Sequence, residues 1–244
     1  MRKVHVITQK EVIRENDLTN CTAVVIDVFL ATSTIAFLLD RNYTSVYAKA
    51  TIDAARDFAD SLQEEVLLLG EVNGFPVDGF VYPDPSAIKP TSFPKAAVFR
   101  STNGTVAIES SKNAINLYTS SLVNGHVIAQ WLHEQNDESS IVLICSGNAG
   151  SFSLEDFVGA GQIVAHLTSK GEYNLSDAAI AALDAYEKSK SLKYEDLLQG
   201  RTAQLLENNN FANSIKLIIN SVERINVIPK YESGKIVDLL KIKT

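Results

Sequence analysis

Residues 22–28 read TAVVIDV, a run of apolar, mostly β-branched side chains with an aspartate one place from its end. The run does not alternate between polar and apolar. That pattern suits a strand buried on both faces, as in a parallel sheet covered by helices. Similar short runs recur as VHVI (4–7), VLLL (66–69), AAVF (96–99) and SIVLIC (140–145), with further strand-like segments at 45–48 and 114–118. Helical spacing fills the intervals at 32–39, 52–63, 105–110, 122–134, 153–168, 176–188, 194–208 and 211–217. Ser176 is a plausible cap for its helix. Residues 224–228 and 235–239 read as closing strands. Strands alternating with helices predict a three-layer α/β/α fold with a mainly parallel, mixed sheet. No linker or repeat interrupts the pattern, so one α/β domain is expected over 1–244.

The 244 residues carry a net charge of -7, which argues against general nucleic-acid binding. An anionic ligand would need local positive potential from a metal ion, helix N-termini or a few placed lysines and arginines. Cys21 and Cys145 lie in strand-like segments and read as buried free thiols, without disulfide or zinc spacing. The first nine residues alternate like a strand and lack a signal-peptide core. No apolar run approaches the roughly 20 residues of a membrane span. A cytoplasmic protein without membrane or nucleic-acid partners is expected, with a homodimer as the assembly allowed for.

Ligands of α/β sheets bind beyond the carboxyl ends of the strands. Four segments put unusual polar residues there. In the first, Asp27 closes an apolar strand and is followed by Thr32, Ser33 and Thr34. A carboxylate in that position is costly unless it is paired or bound to metal. In the second, Glu71 follows the strand at 66–69 and opens the stretch 71–95, which holds five of the six prolines. A loop this long is often functional, and its Phe75, Phe80, Val81 and Tyr82 are expected to seek burial. In the third, Arg100 precedes Ser101-Thr102-Asn103-Gly104-Thr105, hydroxyls and amides at a helix start that form a natural anion site. In the fourth, Gly147 and Gly150 precede a helix opened by Ser153, with Glu155 and Asp156 in its first turn. Ser153 and Asp156 have capping-box spacing, which leaves Glu155 freer to serve a site.

Carboxylates beside hydroxyl and amide donors suit Mg²⁺ and a phosphate ester. Asp27, Glu71 and Glu155 are the expected catalytic residues, and Asp27, Glu71, Glu155 and Asp156 the expected Mg²⁺ ligands. Thr32, Ser33, Arg100, Thr102, Asn103, Gly104, Thr105, Gly147, Gly150 and Ser153 are expected to bind substrate, with amides at 104–105 and 147–150 cradling the anion. Asp27 is the better candidate for a covalent nucleophile, a water being the alternative. His5, His126, His133 and His166 lack ligand spacing and read as core or surface residues. A nucleotide-binding fingerprint would place glycines after the first buried strand, but 21–34 contains none.

The stretches VVIDVFLATSTI (24–35), GEVNG (70–74), STNGT (101–105) and ICSGNAGSFSLEDFVGAG (144–161) resemble the 2-phosphosulfolactate phosphatase family. The resemblance implies an α/β, Mg²⁺-dependent enzyme that hydrolyses 2-phospho-3-sulfolactate to sulfolactate and phosphate, a step towards coenzyme M. It implies that Asp27, Glu71, Asn103, Gly104, Thr105, Ser153, Glu155 and Asp156 line or shape the active site. The chain departs from the family pattern at Leu30 and Val72, where arginines usually fall, and over 79–86. Arginine grips anions bidentately, so Arg100 or Lys89 is expected to supply replacement charge. The rival expectation is a catalytically weak or inactive member that binds a metabolite or partner.

Overall fold

The computed structural model describes residues 1–14, 17–62, 64–93, 95–135 and 137–242. In its first half, strands β1 (Arg2–Ile7), β2 (Cys21–Ile26), β3 (Tyr43–Lys49), β4 (Val66–Val72), β5 (Phe75–Pro76) and β6 (Lys95–Arg100) alternate with helices α1 (Ala31–Asp40) and α2 (Ile52–Ser61). The middle runs α3 (Gly104–Ser111), β7 (Asn116–Ser120), α4 (Gly125–Glu134), β8 (Ser140–Cys145), α5 (Leu154–Thr168), β9 (Tyr173–Leu175) and α6 (Asp177–Ser191). The chain closes with α7 (Arg201–Asn208), α8 (Ala212–Asn220), the hairpin β10 (Pro229–Glu232) and β11 (Lys235–Asp238), and α9 (Leu239–Ile242).

The strands form one eleven-stranded mixed sheet in the order β5-β4-β6-β3-β11-β10-β7-β2-β8-β1-β9. It contains two parallel blocks. In one, β4, β6 and β3 pair in parallel; in the other, β7, β2, β8, β1 and β9 do. The hairpin β10–β11 joins them through three antiparallel pairings, and the outer two rest on single register pairs, Lys230↔Tyr118 and Ile236↔Val46. Three reversals make the blocks run in opposite senses. The expected mixed sheet is therefore present, but the four polar segments do not line one edge. They stand where the carboxyl ends of two blocks meet.

Residues 22–26 of β2 and 141–145 of β8 are buried throughout, as strands covered on both faces must be. Helices α4, α5 and α6 pack on one another and on β1, β2 and β8, while α1 and α3 pack together and on β3 and β7. Glycine sets the closest helix contact. A Cβ at Gly161 in α5 would overlap the Ala182 carbonyl of α6 and lie 2.8 Å from Tyr186 Cβ. Ser176 caps α6 by accepting from the Ala179 amide at 3.2 Å, as its position suggests.

Several boundaries differ from the sequence reading. The stretch 194–208 is not one helix, because Tyr194 takes a left-handed conformation (φ 64°) and Gly200 breaks a 3-10 turn from α7. Residues 224–228 are not a strand. Ile225, Val227 and Ile228 are buried, but the Ile225 amide bonds to the Val123 carbonyl and the Ile228 amide to buried Asp238. The expected helix 122–134 begins at Gly125. Phe75 and Val81 are exposed rather than buried, while Tyr82 is half-buried and stacks on Phe211 at 3.7 Å between centroids. The expected end of α2 at Gln63 lies outside the described residues. Cys145 is buried and Cys21 half-buried, and both are free thiols. Among the described residues no helix is long and apolar enough to cross a membrane.

Candidate active site

Asp27 is the first residue past β2, and the backbone turns around it. Its amide donates to Thr32 Oγ1 at 2.9 Å, and its carbonyl accepts from the Thr32 amide at 3.0 Å. Its Oδ1 accepts from the Ala31 amide at 3.2 Å. Thr32 Oγ1 also lies 2.5 Å from the Ser120 carbonyl, and Ser33 Oγ lies 2.8 Å from both the Val28 carbonyl and Ser121 Oγ. Thr32 and Ser33 are fully buried and tie α1 to the ends of β2 and β7. They do not line the cavity described below, so the geometry gives them a framework role in place of the expected substrate contact.

The second oxygen of Asp27 faces Gly104. A Cβ at Gly104 would stand 2.8 Å from Asp27 Oδ2 and overlap Ala31 Cβ, so only glycine lets α3 start this close to the carboxylate. Burial pushes the Asp27 carboxyl up to about 7. The Ala31 amide opposes the shift, the charges of Glu71 and Glu155 add to it, and Lys10 pulls against it.

Glu71 is the penultimate residue of β4, in the opposite block, and acts as a clamp. Its Oε1 accepts from the Thr102 amide at 2.5 Å, and its Oε2 accepts from the Gly74 amide at 2.7 Å and from Thr102 Oγ1 at 3.1 Å. Arg100 Nη1 donates to the Glu71 carbonyl and to Thr102 Oγ1, and Arg100 does not line the cavity. The guanidinium expected to meet substrate is thus spent on the loop framework. Lys89 is exposed and also off the cavity wall. Replacing Glu71 with alanine orphans two amides. We expect a loss of about 2–4 kcal/mol in chemical denaturation, at roughly 1.5–3 kcal/mol per charged hydrogen bond less solvent recovery. A midpoint equal to wild type would refute the clamp.

Asn103 joins the two blocks. Its Oδ1 accepts from Lys10 Nζ at 2.9 Å and from the Ala149 amide at 3.2 Å. Lys10, just past β1, also donates to the Ser146 carbonyl at 3.3 Å. The expected capping box is not formed, since Ser153 accepts no cap hydrogen bond. Asp156 instead reaches across the sheet. Its Oδ1 accepts from the Val28 amide at 2.9 Å and its Oδ2 from the Gly147 amide at 3.1 Å. Burial, then the charges of Asp27 and Glu155, hold its carboxyl well above the ordinary range. Glu155 is also buried, and its carboxylate accepts no hydrogen bond from the described residues. Gly200 lies close to it, 3.6 Å separating a would-be Cβ there from Glu155 Oε2.

The expected amide cradle is narrower than the sequence suggests. The Thr105 amide donates to Ser101 Oγ, Gly147 to Asp156 and Ala149 to Asn103. The Asn103 and Gly104 amides, at the start of α3, have no partner among the described residues. Gly147, Gly150, Ser153, Glu155 and Asp156 are not among the residues that line the cavity.

The cavity has a volume of about 430 Å³. Of the expected residues, Asp27, Glu71, Thr102 and Asn103 line it. Residues not expected at the site also line it, among them Tyr82, Asn148, Arg201 and Leu205. Arg201, Leu205 and Asn208 share one face of α7 at i, i+4 and i+7, which is the signal that could have drawn notice. None of the hydrogen bonds or ring contacts of His126, His133 and His166 involves a cavity residue; they engage Asn226, Tyr173 and Glu223. Among the described residues no group of three or more His, Cys, Asp or Glu side chains is placed to hold a metal ion. The donor set does fit a cation held by fewer protein ligands. Glu155 accepts no hydrogen bond from the described residues and Asp27 Oδ1 accepts one, so both can meet a cation. Mg²⁺ commonly uses one or two carboxylates, water and substrate oxygens.

The fold and this cavity define an α/β protein with a candidate small-molecule site of carboxylates and loop amides between two strand blocks. Comparison makes the class specific. The chain matches the family described as 2-phosphosulpholactate phosphatase over residues 7–234, and it belongs to that family. A protein of Clostridium perfringens (strain SM101 / Type A) named "Probable 2-phosphosulfolactate phosphatase" is 31% identical over 239 residues, covering 96% of this chain and 95% of its own. Proteins of the same name from Clostridium novyi (strain NT) and Caldanaerobacter subterraneus subsp. tengcongensis are 28% and 27% identical. They cover 96% and 91% of this chain and 99% and 92% of their own lengths.

Proposed function

We propose that this chain is a Mg²⁺-dependent phosphatase acting on a small phosphomonoester, 2-phosphosulfolactate or a related phospho-hydroxy acid. The observation that carries the reading is Asp27: a buried carboxylate with one oxygen fixed by Ala31 and the other facing the start of α3. The names of the relatives supply the reaction class. Asp27 Oδ2 attacks phosphorus, the bond from phosphorus to the ester oxygen breaks, and the departing alkoxide takes a proton from water. A water then attacks the phosphorus of the aspartyl phosphate and restores the carboxylate. The Asn103 and Gly104 amides take the phosphoryl oxygens. Glu155 would hold Mg²⁺, with Asp27 contributing through Oδ1 while Oδ2 attacks, and the chemistry the metal would supply is to neutralise charge on the phosphoryl oxygens. Acid quench of a single turnover, followed by mass analysis, should find one phosphoryl group on Asp27. Full activity with no trapped phosphoenzyme would make water the nucleophile.

Among the described residues Arg201 is the cation on the cavity wall, and in this reading it takes the role expected of Arg100 and Lys89. Arg201→Ala should raise KM by roughly 10–100-fold with little change in kcat, the mark of uniform binding. An unchanged KM would remove Arg201 from the account. The net charge of -7 and the free thiols suit a cytoplasmic enzyme without a nucleic-acid partner. A homodimer is checked by light scattering. Leu30 on the cavity wall, where the family pattern carries arginine, favours a second reading: a weakly active member that binds a metabolite.

A further inference from the structure

We infer that Lys10 is a positioning residue: it holds the Asn103 carboxamide away from the start of α3 and so keeps the amides there open to the phosphoryl group. The identity of that anion rests on the phosphatase reading.

Lys10 opens a 3-10 turn (Lys10–Val12) past the carboxyl end of β1. Its side chain is 9% exposed. A lysine buried this far is costly unless its charge is met and its protons are placed. All three protons have acceptors. Nζ donates to Glu11 Oε1 at 2.7 Å, to Asn103 Oδ1 at 2.9 Å and to the Ser146 carbonyl at 3.3 Å. The pair with Glu11 is local. The other two acceptors lie in loops of opposite strand blocks, one after β6 and one after β8. Lys10 does not line the cavity, so its effect on a bound anion passes through those loops.

Asn103 is where the choice matters. It is the N-cap residue of α3, and asparagine is among the best capping residues. A capping side chain folds its oxygen back onto the amide two or three places on. Asn103 makes no such bond, and its backbone (φ -114°, ψ -61°) is not the extended form that capping uses. Its Oδ1 is drawn outward instead, by Lys10 and by the Ala149 amide at 3.2 Å. The charged bond of the two is the stronger, by roughly a factor of two. The Thr105 amide, two places on, already has Ser101 Oγ. The Val106 amide, three places on, has no partner among the described residues, like those of Asn103 and Gly104. Val106 is therefore the amide that a released Asn103 would take. The carboxamide would then stand across the start of α3 beside Asp27, in the place of the anion.

Calorimetric titration of the purified full-length chain with inorganic phosphate in Mg²⁺ tests this without turnover. Lys10→Met should bind phosphate at least tenfold more weakly than wild type. Adding Asn103→Ala, which removes the carboxamide but keeps the backbone amide, should recover at least threefold. A lysine that only supported the local structure would give no recovery, because the second truncation removes one more contact. Where Lys10→Met does not fold, Lys10→Gln is measured in its place with the same expected losses and recovery. Binding within threefold of wild type in the single variant overturns the inference, as does a wild type that binds no phosphate. A weakened single variant that Asn103→Ala leaves no better also overturns it, since the ammonium then acts by its charge alone. Phosphate release from phosphomonoesters by the same proteins separates this from the phosphatase reading. If the binding pattern holds while no ester is hydrolysed, Lys10 keeps its role and the phosphatase reading falls. If the wild type hydrolyses esters and Lys10→Met leaves kcat/KM unmoved, the phosphatase reading stands and Lys10 loses its role.

Discussion

Asp27→Asn is expected to abolish phosphate release, by on the order of 10³-fold or more, and at the same time to stabilise the metal-free protein. The activity loss follows from removing the oxygen proposed to attack phosphorus, for which Gly104 leaves room. The gain in stability follows from linkage. Burial, with Glu71 and Glu155 adding to it, raises the folded-state carboxyl from 3.8 to about 7. A folded-state value above the unfolded one means that the stability contribution is fully present below pH 3.8. It is lost as pH rises through about 7. The amide cannot ionise and escapes that loss. In chelator, the two proteins should melt together near pH 4, and the variant should melt higher at pH 8. A difference of about 1–3 kcal/mol would move Tm by several degrees in a chain this size. Asn can still accept the Ala31 amide, so the turn after β2 should survive. A variant that melts lower than wild type at pH 8, or that keeps activity within tenfold, would contradict this description of Asp27.

Gly161→Ala carries the largest expected effect on folding. The new methyl would overlap the Ala182 carbonyl, and both partners are helix backbone that cannot rotate away. Relief requires α5 and α6 to separate along their contact, which covers β1 and β8. We expect a loss of about 3 kcal/mol or more, on the scale of severe overpacking, and a Tm drop of roughly 10 °C. Because α5 begins at Leu154 and carries Glu155 and Asp156 in its first turn, the shift should also lower Mg²⁺ affinity. A Tm within 2–3 °C of wild type, roughly the effect of 1 kcal/mol, would show that the helices can part at little cost.

The buried strands were legible because strands covered on both faces leave an unbroken apolar record, as TAVVIDV and SIVLIC do. Asp27 and Glu71 were legible for the opposite reason: a carboxylate at the end of such a run has no packing role. What escaped was what only tertiary contact decides. Asp156 has the spacing of a local cap but serves the amides of Val28 and Gly147, and sequence distance hides that choice. Arg100 adjoins the STNGT loop, yet its guanidinium turns to the Glu71 carbonyl. Arg201 and Leu205 lie on a short amphipathic helix, whose spacing says that one face is covered without saying by what. The hairpin β10–β11 sets the block of β3, β6 and β4 against the sense of the other five parallel strands. The strand expected at 235–239 is β11, but its partner β10 was not marked, and each of the hairpin's outer pairings rests on a single register pair.

The most direct test of the active-site assignment is release of inorganic phosphate from a panel of phosphomonoesters by the purified full-length chain, with Mg²⁺ and with chelator. The cavity at Asp27 predicts release from at least one member with Mg²⁺, lost in chelator and lost in Asp27→Asn. No release above the protein-free blank from any member, by protein that is folded and binds Mg²⁺, would contradict it.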